Sequence, residues 1–184
     1  MSRYNGSEIL TGNSKRKKIR DNAKSVFLRY GFQRTSMDDI AKAAGMSRPA
    51  LYLIYKNKED IYCDILQALA NEGILAAEQA AKSDGSLQLR LTKMVNVGFL
   101  ETFEQVAQSA HGPELMDIKF TLGRAIRSDW RKGIVALMAK VIGGNKGNVH
   151  ANLIFDVIDG LKARTLDIEE IRGGIKTVVD LIAR

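Results

Sequence analysis

At 184 residues, with 45% apolar side chains and 2 prolines, the chain can bury one sizeable core or two smaller ones, and its composition excludes wholesale disorder. The net charge of +7 is unevenly placed: residues 1–64 hold 13 Lys/Arg against 7 Asp/Glu and residues 65–184 hold 15 against 14, so the first third alone suits an anionic partner, nucleic acid or a membrane surface. Cys63 is the single cysteine, which excludes an internal disulfide framework; no apolar run reaches the roughly 20 residues of a membrane span, and a cytoplasmic location is expected.

Residues 1–13 are polar, with Asn5, Gly6, Gly12 and Asn13, and read as a flexible arm. From Lys15, apolar Ile19, Ala23, Val26, Phe27 and Tyr30 recur at steps of three and four and predict a helix that Gly31 ends. A short second helix is expected from Thr35 or Ser36 to Gly45, with Asp38 and Asp39 in the first turn, where the helix dipole favours negative charge. After a turn of Gly-Met-Ser, Ser47 caps a third helix, and Pro49 sits in its first turn, where a missing N–H costs nothing. Asn57 is the expected cap of a long fourth helix that ends near Ala81.

Further helices are expected over 87–110 and 115–142, the second interrupted near Gly123 and Ser128, then over 149–165 and 168–183. No sustained alternation marks a strand, so the fold is all-α. The apolar stripes of the last two helices are broad: Leu153, Ile154, Val157, Ile158 and Leu161 on one, Ile171, Ile175, Val178, Val179 and Ile182 on the other. That width predicts a homodimer interface built from Leu153, Ile154, Val157, Leu161, Ile175, Val178, Val179 and Ile182.

The layout of an amphipathic helix followed by two short helices, all in the basic third, is that of a helix-turn-helix. Arg48 can meet a guanine edge bidentately, Pro49 and Ala50 offer small apolar groups to thymine methyls, and Tyr52, one turn on, can reach a phosphate. The stretch "GFQRTSMDDIAKAAGMSRPALYLIYKNKEDIY" resembles the DNA-binding signature of the tetracycline-repressor (TetR) family over about residues 15–64, with Ile54 where that family commonly has His. The resemblance implies Thr35, Tyr52 and Lys58 on phosphates and Arg48, Pro49 and Ala50 on bases.

It further implies an N-terminal three-helix DNA-binding domain (14–57) and a C-terminal helical ligand-binding and dimerisation domain (58–184), with the closing helix pair forming a four-helix dimer contact. The partners it implies are double-stranded DNA with a palindromic operator, a second copy of the chain and a small apolar effector that releases a repressor. Met94, Phe99, Phe103, Met116, Phe120, Trp130 and Met138 are the candidate lining of the effector pocket. His111 has only Glu114 at ligand spacing and His150 has no such partner, the serines lack a nucleophile elbow and "GGNKGN" lacks a preceding strand, so neither a metal, a cofactor nor a catalytic site is expected. The rival readings are a helical enzyme with an incidental basic N-terminus and a membrane-surface protein using "KRKKIR", the latter disfavoured by the lack of a large apolar face beside those charges.

Overall fold

A computed structural model of the chain describes residues 6–184, apart from the side chains of residues 6–12 and of Phe120. Among the described residues every regular element is helical: α1 (Gly6–Tyr30), α2 (Met37–Ala43), α3 (Arg48–Tyr52), α4 (Lys58–Ala81), α5 (Leu87–Val95), α6 (Glu101–Ala107), α7 (Gly112–Leu122), α8 (Arg124–Ile142), α9 (Gly147–Arg164) and α10 (Ile168–Ile182). A single π-helical turn, Asn96–Leu100, joins α5 to α6.

Helix α1 begins at Gly6, so the expected arm over 1–13 is helical from that residue on; residues 1–5 of the arm lie outside the described residues. Gly12 and Asn13 weaken a helix here but no proline forbids one, and Glu8 and Leu10 favour it, so helix spreads back from the packed part of α1. The chain forms two compact units, one running to Gln67 and taking in Ser109–Gly123, the other made of Ala68–Gln108 and Arg124–Arg184. That division differs from a boundary at residue 57. The start of α4 and all of α7 join the first unit because Tyr62 and Leu115 are buried in its core with Phe27 and Phe32.

In that core the rings of Phe27, Phe32 and Tyr62 meet at centroid distances of 5.1, 5.7 and 5.4 Å, two of the three contacts edge-on, and the Tyr62 hydroxyl donates to the Leu115 carbonyl at 2.8 Å. Burial, the larger cause, together with the nearby Cys63 and Glu114, pushes the Tyr62 phenol well above its usual range, so it stays a neutral donor. The second unit has its own core, in which Phe99, Trp130 and Phe155 stack at 4.7, 5.5 and 5.6 Å, with Leu91, Met94, Met138, Ile154 and Ile158 around them. Helix α4 approaches the π-turn closely there: a Cβ on Gly73 would lie 3.3 Å from the Gly98 carbonyl oxygen.

Gly31 ends α1 at φ +83°, and a Cβ there would lie 2.5 Å from Glu114 Oε2 and 2.9 Å from His111 Nδ1. The left-handed backbone favours glycine, and an added Cβ would also displace the side chains of Glu114 and His111. Gly31→Ala is expected to cost about 1 to 2 kcal/mol or more of stability, read as a lower urea midpoint at constant m-value. An unchanged midpoint would show that the turn yields freely.

Candidate nucleic-acid interface

The first unit builds a short-helix pair on α1. Ser36 opens α2 with a reciprocal cap: its Oγ accepts from the Asp39 N–H at 3.2 Å, while Asp39 Oδ2 accepts from the Ser36 N–H at 2.9 Å and from its hydroxyl at 2.6 Å. These bonds to Ser36 hold the Asp39 carboxyl below its usual range. Ile40 and Ala41 bury α2, and Gly45 at φ +66° turns the chain toward α3. Ser47 Oγ then accepts from the Ala50 N–H at 3.3 Å, and Pro49 occupies the first turn.

Helix α3 is five residues long and buries only Leu51. Its Arg48 and Tyr52 lie one turn apart on the surface, the guanidinium donating to the phenol oxygen at 3.4 Å and standing 5.5 Å from the ring centroid. Pro49 is exposed and Ala50 half-buried. These residues therefore form one solvent-facing surface carrying a fork of N–H donors, an aromatic hydroxyl and small apolar groups.

The charges around that surface divide into engaged and exposed sets. Asp64 accepts from Arg16 and Arg20, each at 3.4 Å, and from the Tyr55 hydroxyl, while the Arg16 guanidinium stacks 5.0 Å over the Tyr55 ring. Burial first, and the bond to Asp64 second, raise the Tyr55 phenol well above its usual range. Lys17 pairs with Asp21 at 2.7 Å. Lys15, Lys18, Arg34 and Lys56 are exposed.

The comparisons with known proteins converge on this part of the chain. The model of bacterial regulatory proteins of the tetR family matches residues 19–65. AcrR, an HTH-type transcriptional regulator of Shigella flexneri, is 39% identical over 71 residues, which is 38% of this chain and 33% of AcrR. MftR, described as a putative mycofactocin biosynthesis transcriptional regulator of Mycobacterium tuberculosis, is 30% identical over 137 residues, 68% of this chain and 65% of its own length. Residues 19–65 are of the tetR family. The matches to AcrR and several other curated relatives span only about a third of their length. The tetR-family fold nonetheless extends through the chain: a TetR transcription regulator from Haloarcula marismortui superposes with a TM-score of 0.73 at 16% identity, over 93% of this chain and 97% of that one.

Within this segment, two residues assigned to phosphates by the resemblance have other partners. Thr35 is 3% exposed, and its hydroxyl donates to the Gly31 carbonyl at 2.6 Å. Lys58 Nζ donates to the carbonyls of Phe32, Gln33 and Thr35 at 2.8, 3.1 and 3.0 Å and lies 4.7 Å from the Phe32 ring centroid. All three ammonium hydrogens are used. Both residues hold the α1–α2 turn, because carbonyls left over at a helix end and turn converge where the sequence motif alone places only polar side chains.

The dimer candidates also separate. Ile154, Ile175, Val178 and Val179 are buried within the single chain, Val157, Leu161 and Ile182 are half-buried, and Leu153 is exposed. The broad stripe arises because α9 packs against both α8 and α10 and needs two apolar sides. Val149, Leu153 and Leu181 are the large apolar side chains that these last helices leave exposed besides Leu166 in the α9–α10 link.

Of the pocket candidates, Met94, Phe99, Phe103 and Met138 are core residues of the second unit, and Trp130 is half-buried against Phe99. Met116 belongs to α7 in the first unit; the Phe120 side chain lies outside the described residues. A cleft of about 630 Å³ lies in the first unit, with a mixed lining that includes Asn22, Val26, Arg29, Tyr30, Arg34 and Lys42. Among the described residues no group of three His, Cys, Asp or Glu side chains could hold a metal ion, and no helix is long and apolar enough to cross a membrane.

Lys58→Met should lower stability by about 1 to 3 kcal/mol, since three carbonyls lose a charged donor. The slope of log affinity for double-stranded DNA against log salt should stay at its wild-type value. A slope smaller by about one per subunit, with stability intact, would return Lys58 to the phosphates.

Proposed function

We propose that the chain is a sequence-specific DNA-binding transcriptional regulator, a homodimer on a palindromic operator that acts as a repressor and leaves DNA when a small apolar molecule binds. The observation that carries this reading is the solvent-facing Arg48–Tyr52 row on α3, held by two serine caps over the buried Leu51. A short helix anchored by one buried residue can present its outer side to the major groove, where Arg48 meets a guanine edge and Pro49 and Ala50 meet apolar groups. Tyr52, with the exposed Lys15, Lys18, Arg34 and Lys56, supplies the sequence-independent attraction to phosphates. The family match supports the same reading over an enzyme, as the related chains are named as regulators.

Selection from a random pool of double-stranded DNA should yield an inverted repeat with half-sites about one helical turn, roughly 34 to 36 Å, apart. Arg48→Ala should cost about 1 to 3 kcal/mol per half-site and relax one base position in each. Recovery of no consensus, or an unchanged consensus and affinity in the variant, would sink the reading.

Dimerisation is expected through the apolar groups that one chain leaves uncovered. Leu153→Asp, at a site 49% exposed in the single chain, should leave helical content and melting temperature near wild type while weakening self-association by about 2 kcal/mol or more, some thirtyfold. Ile154→Asp, one residue on at 0% exposure, should unfold the second unit instead. Sedimentation equilibrium and circular dichroism separate the two outcomes, and a Leu153→Asp protein as dimeric as wild type moves the interface elsewhere.

A further inference from the structure

Leu53 is 88% exposed, more than any other large apolar side chain among the described residues. Single exposed leucines are ordinary on protein surfaces, so exposure alone decides nothing. Its direction does. Leu53 caps α3 at φ −69° and ψ −18°, and its N–H donates to the Pro49 carbonyl at 3.2 Å, so it continues the helical phase of α3.

At about 100° per residue, Pro49 and Leu53 each lie about 160° from Leu51, the one residue that α3 buries. Arg48 and Tyr52 lie about 60° and 100° away, along one flank. The crest of α3, the line opposite its anchor in the core, is therefore the apolar pair Pro49–Leu53, with the donor row beside it. Whatever α3 enters, Leu53 meets first.

In the major groove only one base presents an apolar group, the C5-methyl of thymine. Resting on the DNA-binding reading above, we propose that Leu53 is a specificity-determining residue that packs on a thymine C5-methyl in each half-site, beside the base read by Arg48. The chemistry of this part of the chain fits this occupant better than an apolar protein partner: Arg48 and Lys56, on and just after α3, are exposed, and their charge favours a polyanion carrying an isolated methyl group.

The test uses the full-length dimer and the operator selected from random DNA, with each thymine replaced in turn by deoxyuridine, which removes only the methyl. The thymines under Pro49, Ala50 and Leu53 should be sensitive, the wild type losing about fourfold in affinity for each, the factor that corresponds to about 0.8 kcal/mol per buried methyl-sized group. Leu53→Ala, at a site too exposed to matter for folding, should lose the penalty at one of these thymines in each half-site and keep it at the others.

Insensitivity of the wild type at every thymine overturns the inference. So does a Leu53→Ala protein that keeps the wild-type penalty at every sensitive thymine, which would give all the methyls to Pro49 and Ala50, and so does a Leu53→Ala defect with no deoxyuridine penalty lost, which would place the leucine on the sugar-phosphate backbone. Failure to select any sequence is a different result: it removes the DNA-binding reading itself, and this inference with it.

Discussion

Three backbone carbonyls, those of Phe32, Gln33 and Thr35, converge on one ammonium, Lys58 Nζ. A turn that reverses the chain within a few residues has more acceptors than its own N–H groups can satisfy, and a single cation with three donors settles them together. Glu114 holds the same turn from α7 by accepting the Gln33 N–H at 2.7 Å, and Thr35 closes it from within. The direction of α2 depends on this turn, and α3 is placed by α2. The surface that α3 presents is thus set by bonds that lie behind it.

The economy of α3 follows from that support. Five residues are too few for a helix to be stable alone, since nucleation is costly and almost no intrahelical bonds repay it. Its stability comes from the Ser47 cap, the preset φ of Pro49 and the burial of Leu51. With a single residue turned inward, the remaining directions are open to solvent and can carry recognition chemistry. The Asp64 hub, which gathers Arg16, Arg20 and Tyr55, ties α1 to the segment after α3 and engages two arginines of the basic run, Arg20 half-buried and Arg16 still exposed.

In the second unit the same logic works in the opposite direction. Helix α9 lies against α8 and α10, with ion pairs from Arg127 to Asp159 and from Arg131 to Asp156 along one side, and most of its apolar residues are consumed by its own chain. What remains for a second copy is narrow: Val149 and Leu153 on α9 and Leu181 on α10, with half-buried Val157 and Ile182. A dimer formed there would be selected by a few side chains over a scaffold already complete.

The local features were legible in the sequence. The all-helical fold, the caps at Ser36, Ser47 and Asn57, the stops at Gly31 and Gly45 and the break at Gly123 all rest on interactions within about four residues, which residue type and spacing specify directly. The surface positions of Arg48 and Tyr52 follow from the same short-range geometry. What only the tertiary structure decided depends on partners far along the chain. Periodicity marks Ile154 and Val179 as apolar but cannot count the helices that will cover them, and a motif marks Thr35 and Lys58 as polar but not which carbonyls the fold will bring within reach. Met116 and Phe99 looked alike as pocket candidates until packing put them in different units. Side-chain chemistry is written residue by residue, whereas burial and bond partners arise when distant segments meet.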